Sequence, residues 1–486
     1  MPVFAAIDLG ATSGRVVNVL VERDRIELDL VRRFPTVTIA GPRGALAWDM
    51  DGLLDEVRAG LIEACRRADV MSVAVDGWGV DYGLLDASGA RLGPVHAYRS
   101  ARTDGLMDAV VDRLGRDRIY ATTGIQFLPI NTIYQLVAAR NDMEYQAADR
   151  LLMVPDLVNH ALCGSTTNDV TDASTTQLLD VATGHWSADL VQLLDLRQDL
   201  LPELHQPGTM LGRVRGLDPV VDGLAVDAAA SHDTASAVAG TPLPADGRGV
   251  YISCGTWSLV GCELDAAVTT AEALEANVTN ELGVGGTIRL LKNVTGLWLL
   301  EECRRAWEAE GIATTTADLV ERAAWAPGGR SILDPDDPRF AAPGDMPSRI
   351  VDRCRATGQP VPSSPDEIAR VILDSLATAW RVTLHTIERV AGTSVASVHL
   401  VGGGSAVPLL RRLCASACDR PLLAGPTEAT VVGNALVQAV AGGVLADVAE
   451  GRALVERTLG VESVRPEASL AWDEMESRLH ALRSQT

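Results

Sequence analysis

The chain opens on alternating apolar and turn-forming segments. Residues 3–9 form an apolar run typical of a buried strand, and the glycine-containing turn 10–14 follows it. Apolar residues recur over 15–21 and, after a charged turn, in an alternating stretch that ends at residue 33. This order of strand, glycine turn and two further strands predicts an antiparallel meander.

Helical spacing appears between the predicted strands. Residues 49–68 carry apolar side chains three or four positions apart, which predicts a helix. A β-branched run at 70–75 ends on Asp76, and residues 82–85 resume the sheet after a turn. Strands that alternate with helices predict an α/β domain.

A second strand–glycine–strand unit begins near the middle of the chain. Residues 250–254 and 259–263 are apolar and flank the turn 255–258, much as apolar residues flank 10–14. We interpret this similarity as an internal repeat. It predicts two related domains that each present a glycine turn to one cleft.

The length of 486 residues also exceeds what one ordinary hydrophobic core serves. We predict a first domain over 1–242 and a second over 243–486, joined by the segment 240–249, which is rich in Pro and Gly. The stretch 326–365, rich in Pro, Gly and Asp, is predicted to be a surface loop.

The clearest helix signal begins at Ser364. This residue is a good N-cap, Pro365 suits the first helical position, and Glu367 completes a capping box. Further predicted elements are a strand at 397–401 and helices at about 407–418 and 430–441.

The charge of the chain limits its partners. The formal net charge is −22, which argues against nucleic acid or an acidic membrane as a partner. Lys292 is the one lysine of the sequence. A P-loop needs Gly-Lys-Ser/Thr and a protein kinase needs a strand lysine with an HRD loop, and both patterns are absent.

Cysteine spacing and hydropathy indicate a reducing compartment. The eight cysteines include no CxxC pair, so zinc-ribbon and thioredoxin readings fail. Cys414 and Cys418 are four apart on a predicted helix and are interpreted as small core residues rather than a disulfide. A signal-peptide pattern and a membrane-length apolar run are both missing, so we expect a cytoplasmic protein, as a monomer or homodimer.

The first glycine turn carries candidate phosphate chemistry. Its backbone N–H groups, its hydroxyls and an arginine suit an anion, and Asp8 before it is placed to hold the waters around Mg²⁺. The alternative is a β-hairpin with a polar turn. The predicted ATP contacts here are Ala11, Thr12, Ser13, Gly14 and Arg15.

Two further glycine turns are candidates for the nucleotide. Thr256 lies in the second unit's turn, where a phosphate held between domains would gain contacts from the other side. Gly402, Gly403 and Gly404 follow a predicted strand and precede a helix, as nucleotide-contacting turns do. The alternative in both places is a tight turn without a ligand.

Residues 231–236 offer a candidate base. Asp233 precedes a small-residue helix and is interpreted either as its N-cap or as the general base for a sugar hydroxyl. In the second interpretation His232 and Thr234 hold the sugar by hydrogen bonds.

The loop 76–81 is rich in polar and aromatic groups. Trp78 would stack on a sugar face while Asp76 and Gly79 bind hydroxyls. The alternative is a core tryptophan between two glycine bends.

At these residues the sequence resembles the FGGY carbohydrate kinases of the actin/hexokinase/Hsp70 superfamily. The resemblance implies an α/β fold of two RNase-H-like domains that close on a catalytic cleft. The stretches that carry it occur in the family's order and cover nearly the whole chain: DLGATSGR at 8–15, DGWGVDYGLLD at 76–86, AYRSART at 97–103, GIQFLPINTIYQL at 124–136, SHDTASAV at 231–238, SCGTWSL at 253–259, LKNVTGLWLLEECRRAW at 291–307 and GPTEATVVGNALVQ at 425–438.

The resemblance also implies a reaction. ATP and Mg²⁺ would be cosubstrates, and L-rhamnulose would be phosphorylated on its 1-hydroxyl with Asp233 as proton acceptor. Asn293 would join Gly79 and residues 232–234 in binding the sugar. Glu301 occupies a position where the family commonly has a glutamine that contacts ATP, and this departure places that contact in doubt.

Three alternatives stay open at this point. The chain could phosphorylate another ketose, such as L-fuculose or L-xylulose. It could be a non-catalytic sugar or nucleotide sensor, although its acidic charge and the presence of Asp233 disfavour this reading. A chaperone-like ATPase would need a peptide-binding domain that the sequence does not indicate.

Overall fold

The amino-terminal apolar run becomes the strand on which the first sheet is built. It spans Val3–Leu9 and pairs antiparallel with Ser13–Val21, which in turn pairs antiparallel with Ile26–Pro35. The predicted meander is therefore confirmed. The structure is a computed structural model that describes residues 1–468 and 470–485.

The strands lengthen or shorten the predicted runs by a few residues at most. In chain order they are β1 (Val3–Leu9), β2 (Ser13–Val21), β3 (Ile26–Pro35), β4 (Thr38–Ala40), β5 (Leu46–Trp48), β6 (Val70–Gly77), β7 (Tyr82–Leu85), β8 (Arg91–Leu92), β9 (Val95–His96), β10 (Arg150–Met153), β11 (Asn168–Asp169), β12 (Leu179–Asp180), β13 (His185–Trp186), β14 (Leu204–His205), β15 (Met210–Arg213), β16 (Ala225–Asp227), β17 (Gly249–Cys254), β18 (Trp257–Leu264), β19 (Thr279–Leu282), β20 (Ile288–Thr295), β21 (Ser397–Val401), β22 (Leu422–Ala424) and β23 (Glu462–Val464).

Helices alternate with these strands, as the spacing predicts. They are α1 (Met50–Arg67), α2 (Leu106–Leu114), α3 (Arg116–Thr123), α4 (Thr132–Ala139), α5 (Met143–Ala147), α6 (Val154–Cys163), α7 (Val170–Ala173), α8 (Ala188–Leu193), α9 (Asp233–Ala239), α10 (Ala271–Ala276), α11 (Trp298–Ala309), α12 (Thr316–Ala323), α13 (Met346–Ala356), α14 (Pro365–Ala391), α15 (Pro408–Cys418), α16 (Ala429–Ala441), α17 (Val448–Thr458) and α18 (Trp472–Arg483).

The first of two compact units contains the meander. It comprises Met1–Pro242 together with two later stretches, Glu263–Leu290 and Ala429–Leu459. Its main sheet has the strand order β15–β16–β6–β1–β2–β3. Strands β16, β6 and β1 run parallel, so their carboxyl ends lie along one edge of the sheet.

Helix α16 covers one face of this sheet. Val431, Val432, Ala435 and Leu436 of the helix are buried in one cluster with the apolar side chains of β1 and β2. Burial of this kind contributes roughly 25 cal/mol per Å² of apolar surface removed from water. The late segment of the chain is therefore part of the first unit's core.

The second unit repeats the strand plan of the first. It comprises Leu243–Cys262, Leu291–Glu428 and Gly460–Thr486. Strand β17 pairs antiparallel with β18 and parallel with β21, and β21 pairs parallel with β22. The order β20–β18–β17–β21–β22 corresponds to β3–β2–β1–β6–β16 of the first unit. The internal repeat predicted from the two glycine turns is confirmed.

The predicted surface loop at 326–365 is wrong. Helix α13 lies within it, and the side chains of Ile332, Leu333 and Phe340 are buried. Proline and glycine mark the turns between these short packed segments, and they misled a reading based on composition alone.

The start of α14 differs from the prediction in one detail. Ser364 Oγ accepts a hydrogen bond from Glu367 N at 3.3 Å, which confirms the N-cap. The Glu367 carboxylate, however, accepts hydrogen bonds from the backbone and hydroxyl of Ser363, at 2.7 and 2.9 Å. The reciprocal half of the capping box is therefore displaced by one residue.

The two cysteines of α15 match the interpretation made from the sequence. Cys414 and Cys418 are buried and unbonded on α15, as core residues. Among residues 1–468 and 470–485, no helix has both the length and the apolar character needed to cross a bilayer.

Candidate active site

Three neighbouring strand ends bring the acidic residues of the first unit together. Asp8 near the end of β1 and Asp76 near the end of β6 are register partners. Gly77 pairs with His232, which follows β16, and Gly77 N donates to Ser231 O at 2.8 Å. The carboxyl edge of a parallel sheet is a common place for a ligand site.

The first glycine turn is shorter than predicted. Strand β2 begins at Ser13, so the turn itself holds Ala11 and the exposed Thr12. Gly14 is a strand residue, and a Cβ there would lie 2.2 Å from Cε2 of Phe34. A side chain at residue 14 would therefore clash with this aromatic ring, and the predicted contact of Gly14 with phosphate stays a prediction.

Arg15 forms an ion pair with Asp8 of the same unit. It lies opposite Asp8 in the β1–β2 ladder, and its Nε and Nη2 atoms are 2.8 and 2.5 Å from Asp8 Oδ2. The side chains are 19% and 7% exposed, respectively. The arginine predicted for phosphate therefore also neutralises the carboxylate predicted for magnesium.

Asp233 is the first residue of α9 rather than its cap. His232 occupies the N-cap position, and Asp233 Oδ1 accepts a hydrogen bond from Thr234 Oγ1 at 3.0 Å. The interpretation of Asp233 as a capping residue is wrong, because its backbone is already helical. Its side chain is 31% exposed and is available to a ligand.

The surroundings of Asp233 change its acidity. Burial raises the pKa of its carboxyl above the ordinary value, the nearby charge of His232 opposes this, and the Asp8 carboxylate adds to it. His232 Nε2 lies 3.6 Å from Asp233 Oδ1. A carboxylate whose pKa is raised is a better proton acceptor than an ordinary surface aspartate.

Trp78 and Asp76 lie beneath the surface, contrary to the predicted contacts with sugar. The Trp78 ring is 4.4 Å from that of Trp48, centroid to centroid, and its Nε1 donates to Asp81 at 3.1 Å. Asp76 is fully buried and accepts a hydrogen bond from Asn434 Nδ2 at 2.6 Å. Burial and the neighbouring Asp8 carboxylate raise the pKa of Asp76 well above its ordinary value. The alternative of a core tryptophan is correct.

The backbone at Gly79 is held in an unusual shape. Val80 has φ of 68°, in the left-handed region that β-branched residues rarely adopt. Two hydrogen bonds hold this backbone in place. Val80 N donates to Thr175 Oγ1 at 3.1 Å, and Val80 O accepts a hydrogen bond from Thr132 Oγ1 at 2.6 Å. A Cβ on Gly79 would lie 3.0 Å from the Thr175 side chain, a tight contact to which Thr175 would have to adjust.

The second unit supplies its own glycine turn. Thr256 lies between β17 and β18, and its carbonyl oxygen accepts Gly296 N at 3.0 Å. A Cβ at Gly296 would lie 2.6 Å from Gly255 O. The turn is therefore packed directly against the start of α11.

The triple glycine lies beside the same strand end. A Cβ on Gly404 would lie 2.5 Å from Cys254 Sγ, and one on Gly402 would lie 3.0 Å from Cys254 O. Gly402 also has φ of 75°, and Gly403 begins a short 3₁₀ turn. The structure thus brings the two candidate nucleotide turns of this unit together at the end of β17.

Glu301 and Asn293 also belong to the second unit. Glu301 on α11 accepts hydrogen bonds from Arg304 at 2.6 and 3.0 Å and lies 3.5 Å from Arg305. Burial opposes its ionisation, but these arginines lower its pKa below the ordinary value. Asn293 is a half-buried residue of β20.

Several residues of the first unit were missed by sequence reasoning. Asn434 and Gln438 are buried on α16 and are joined by a hydrogen bond of 2.7 Å; Ser72 Oγ donates to Gln438 at 2.7 Å. Two amides four residues apart in an otherwise apolar helix are a signal that was present in the sequence. Val80 gave no such signal, because residue type does not reveal a positive φ.

Comparison with known proteins agrees with this arrangement. The profile for the FGGY family of carbohydrate kinases, N-terminal domain, matches residues 3–240, and that for the C-terminal domain matches residues 250–442. A rhamnulokinase from Pectobacterium carotovorum is 41% identical over 95% of this chain and 93% of its own. One from Bacteroides thetaiotaomicron is 38% identical over 97% of both chains.

Solved structures share the fold at low sequence identity. A ligand-bound xylulose kinase from Lactobacillus acidophilus has a TM-score of 0.79 at 16% identity and covers 100% of this chain and 97% of its own. A glycerol kinase from Plasmodium falciparum, crystallised with ADP, has a TM-score of 0.75 at 12% identity, with the same coverage.

The repeated α/β units and their paired glycine turns define a two-domain kinase fold. A phosphotransferase of this class uses ATP without a P-loop lysine. The chain belongs to the FGGY family of carbohydrate kinases.

Proposed function

We propose that the protein transfers the γ-phosphate of ATP to the 1-hydroxyl of L-rhamnulose, in the breakdown of L-rhamnose. The observation that carries the chemistry is the accessible Asp233 carboxylate, with raised pKa, beside His232 at the edge shared with Asp8. The choice of sugar rests on rhamnulokinases that are 37–41% identical over 95–97% of the chain.

The sugar would be held by polar groups near Asp233. Gly79 offers the backbone that Val80 and Thr175 fix in place, and His232 and Thr234 flank the base. The family resemblance also implies a sugar contact for Asn293 of β20. Asp76 and Trp78 act beneath the surface as support for this loop and for Asp8.

The nucleotide would be bound mainly by backbone groups. Within the first unit the turn at Ala11 and Thr12, with the adjoining Ser13, would contact phosphate, and Arg15 would add charge. Within the second unit Thr256 and the turn Gly402–Gly404 would contact phosphate and nucleoside. The Glu301 carboxylate, which is paired with Arg304, lies at the position where the family commonly has the uncharged amide of a glutamine.

The carboxylates of the first unit fit a magnesium ion held through water. Asp76 Oδ1 is buried without a hydrogen-bond partner, and Asp8 is its register neighbour. Among the described residues no cluster of three or more His, Cys, Asp or Glu side chains could hold a metal directly. Bound with ATP, Mg²⁺ would neutralise phosphate charge.

The residues of the chain would act by position and by proton transfer. Asp233 accepts the proton of the sugar hydroxyl as that oxygen attacks, and His232 and Thr234 keep the hydroxyl beside it. Phosphoryl transfer demands little covalent chemistry from a protein, so correct placement supplies most of the rate enhancement.

A ketose panel tests the proposal. The purified protein is assayed with Mg²⁺ and ATP against L-rhamnulose, L-fuculose, L-xylulose and D-xylulose, with ADP release coupled to NADH oxidation. We expect kcat/KM for L-rhamnulose to exceed that of each other ketose by at least about 10-fold, the lower end of the discrimination that one altered substrate group supplies. A higher value for another ketose would reassign the sugar. Absence of sugar-dependent ADP release would overturn the kinase mechanism.

A further inference from the structure

A buried ion pair lies behind His232 on the side away from solvent. Glu281 of β19 is 4% exposed and Arg289 of β20 is fully buried. Arg289 Nη1 is 3.1 Å from Glu281 Oε2, and both residues belong to the same compact unit as His232. Neither residue falls within the role assignments that the family resemblance supplies.

Arg289 is fixed by the backbone as well as by Glu281. Its Nε and Nη2 atoms donate to Leu282 O at 3.2 and 3.1 Å. Burial alone would raise the pKa of Glu281, but the charge of Arg289, and then His232, lower it below the ordinary value. Glu281 is therefore ionised at neutral pH, and the pair holds a fixed negative oxygen inside the unit.

The His232 ring lies between this pair and Asp233. Its Nδ1 atom is 3.3 Å from Glu281 Oε2 and 3.2 Å from Arg289 Nη2, while Nε2 is 3.6 Å from Asp233 Oδ1. Arg289 Nη2 carries two N–H groups, so it donates to Nδ1 as well as to Leu282 O, while Nη1 pairs with Glu281 Oε2. A guanidinium cannot accept a hydrogen bond, so this contact uses the lone pair of Nδ1 and leaves the proton of the neutral ring on Nε2.

We propose that Arg289, anchored by Glu281, is a positioning residue for the phosphoryl transfer: it fixes His232 with the Nδ1 lone pair toward Arg289 and Nε2–H toward Asp233 and the sugar. The inference rests on the proposed function. In the neutral ring this tautomer leaves Nε2–H to donate a hydrogen bond to an oxygen of the sugar. The oxygen of the reacting hydroxyl is thereby held beside the Asp233 carboxylate, which takes its proton.

Two variants remove this arrangement in different ways. Glu281→Ala removes the carboxylate that pairs with Arg289 but leaves the Arg289 charge buried, which threatens folding. The double variant Glu281→Leu/Arg289→Met removes both charges and keeps an apolar filling. The matched control is Asp374→Leu/Arg370→Met, which removes a buried carboxylate–arginine pair of α14 with Nε–Oδ1 of 2.8 Å in the second unit.

The first readout is the tautomer of His232 and needs no sugar. In ¹⁵N-histidine-labelled protein at pH 8, the His232 signals are identified by their loss in His232→Asn. We expect an unprotonated-type shift at Nδ1 and a protonated-type shift at Nε2 in the parent protein. Both should move toward a mixture of tautomers in the double variant and stay unchanged in the control. A parent signal with the proton on Nδ1 would overturn the proposal.

The second readout is turnover. We expect the double variant to lose about 10- to 100-fold in kcat with the preferred ketose, the usual cost of a small misplacement at a reacting centre. The control pair should keep its kcat within about threefold, since Arg370 and Asp374 belong to α14 and share no partner with His232 or Asp233. Full activity with an altered tautomer would show that the pair is only structural. If the parent protein phosphorylates no ketose, the proposed function fails while the tautomer readout still decides what Arg289 does.

Discussion

Asp8 and Arg15 face each other across the first hairpin, with Arg15 Nε 2.8 Å from Asp8 Oδ2. Sequence reasoning gave these residues separate tasks, one toward magnesium and one toward phosphate. The ion pair links the two predicted roles, because the Arg15 guanidinium neutralises the Asp8 carboxylate and fixes its orientation. In a chain of net charge −22, a fixed cation at this edge also reduces the repulsion that ATP would meet.

Arg15→Gln tests this joint role. We expect kcat/KM for ATP to fall by about 10²-fold, as loss of one charge-stabilising donor usually does. Arg32→Gln is the matched control, since Arg32 of β3 forms a half-exposed ion pair with Glu56 of α1, with an Nε–Oε2 distance of 2.6 Å. Steady-state kinetics with varied ATP measure both variants. Equal kinetics in the two variants would show that Arg15 serves the fold alone.

Asp233→Asn tests the base. We expect a loss of about 10²–10⁴-fold in kcat, the range for general-base catalysis. Because Asp233 caps no helix, the free energy of unfolding should not fall by the roughly 0.5–2 kcal/mol of a lost cap. Asp447→Asn, at the true N-cap of α17, is the kinetic control. Turnover near that of the parent protein would contradict the assignment.

Local periodicity was sufficient for most of the fold. Strands β1, β7 and β21 begin and end at the predicted residues, because each is an apolar run bounded by turn residues. The repeat of two glycine turns was also enough to predict two related units. These features depend on neighbours in sequence, which is the information that a pattern contains.

The site was predictable in its backbone turns and less so in its side chains. Trp78, for which a core position was the alternative, is buried against Trp48. Asp76 was expected to bind a hydroxyl and is buried, because α16 returns from the far end of the chain and its Asn434 donates to the Asp76 carboxylate. Glu281 beside His232 was missed for the same reason, since 49 residues separate them. Contacts between distant segments leave no local period, so only the folded chain reveals them.

Gly433→Ala tests the packing of α16 on α9. A Cβ at Gly433 would lie 1.7 Å from Ser236 O, a backbone atom that cannot move without shifting a helix. We expect the free energy of unfolding to fall by about 1–3 kcal/mol, the cost of overpacking. In the control Gly451→Ala, the new Cβ meets only the end of Leu436, which can rotate. Urea unfolding compares them. Equal stability of both variants would contradict the close contact.

Asp81 gives the fold a pH dependence that can be measured. Its carboxylate is buried and accepts Trp48 Nε1, Gln135 Nε2, Trp78 Nε1 and Tyr98 N at 2.7 to 3.1 Å. Burial raises its pKa from 3.8 to about 6, against the effect of these donors. The folded state thus binds this proton more tightly than the unfolded state, so the stabilisation is present below pH 4 and is lost as the pH rises through about 6.

Asp81→Asn removes this titration while its oxygen can still accept the two indoles. Between pH 5 and pH 8, the unfolding free energy of the parent protein should fall relative to the variant by about 1 to 1.5 kcal/mol. Asp86→Asn should show no such trend, because hydrogen bonds from Ser88 and Ala90 lower the pKa of Asp86. Urea titrations at both pH values provide the comparison. A gap that is constant with pH would show that Asp81 stays ionised in the folded protein across this range.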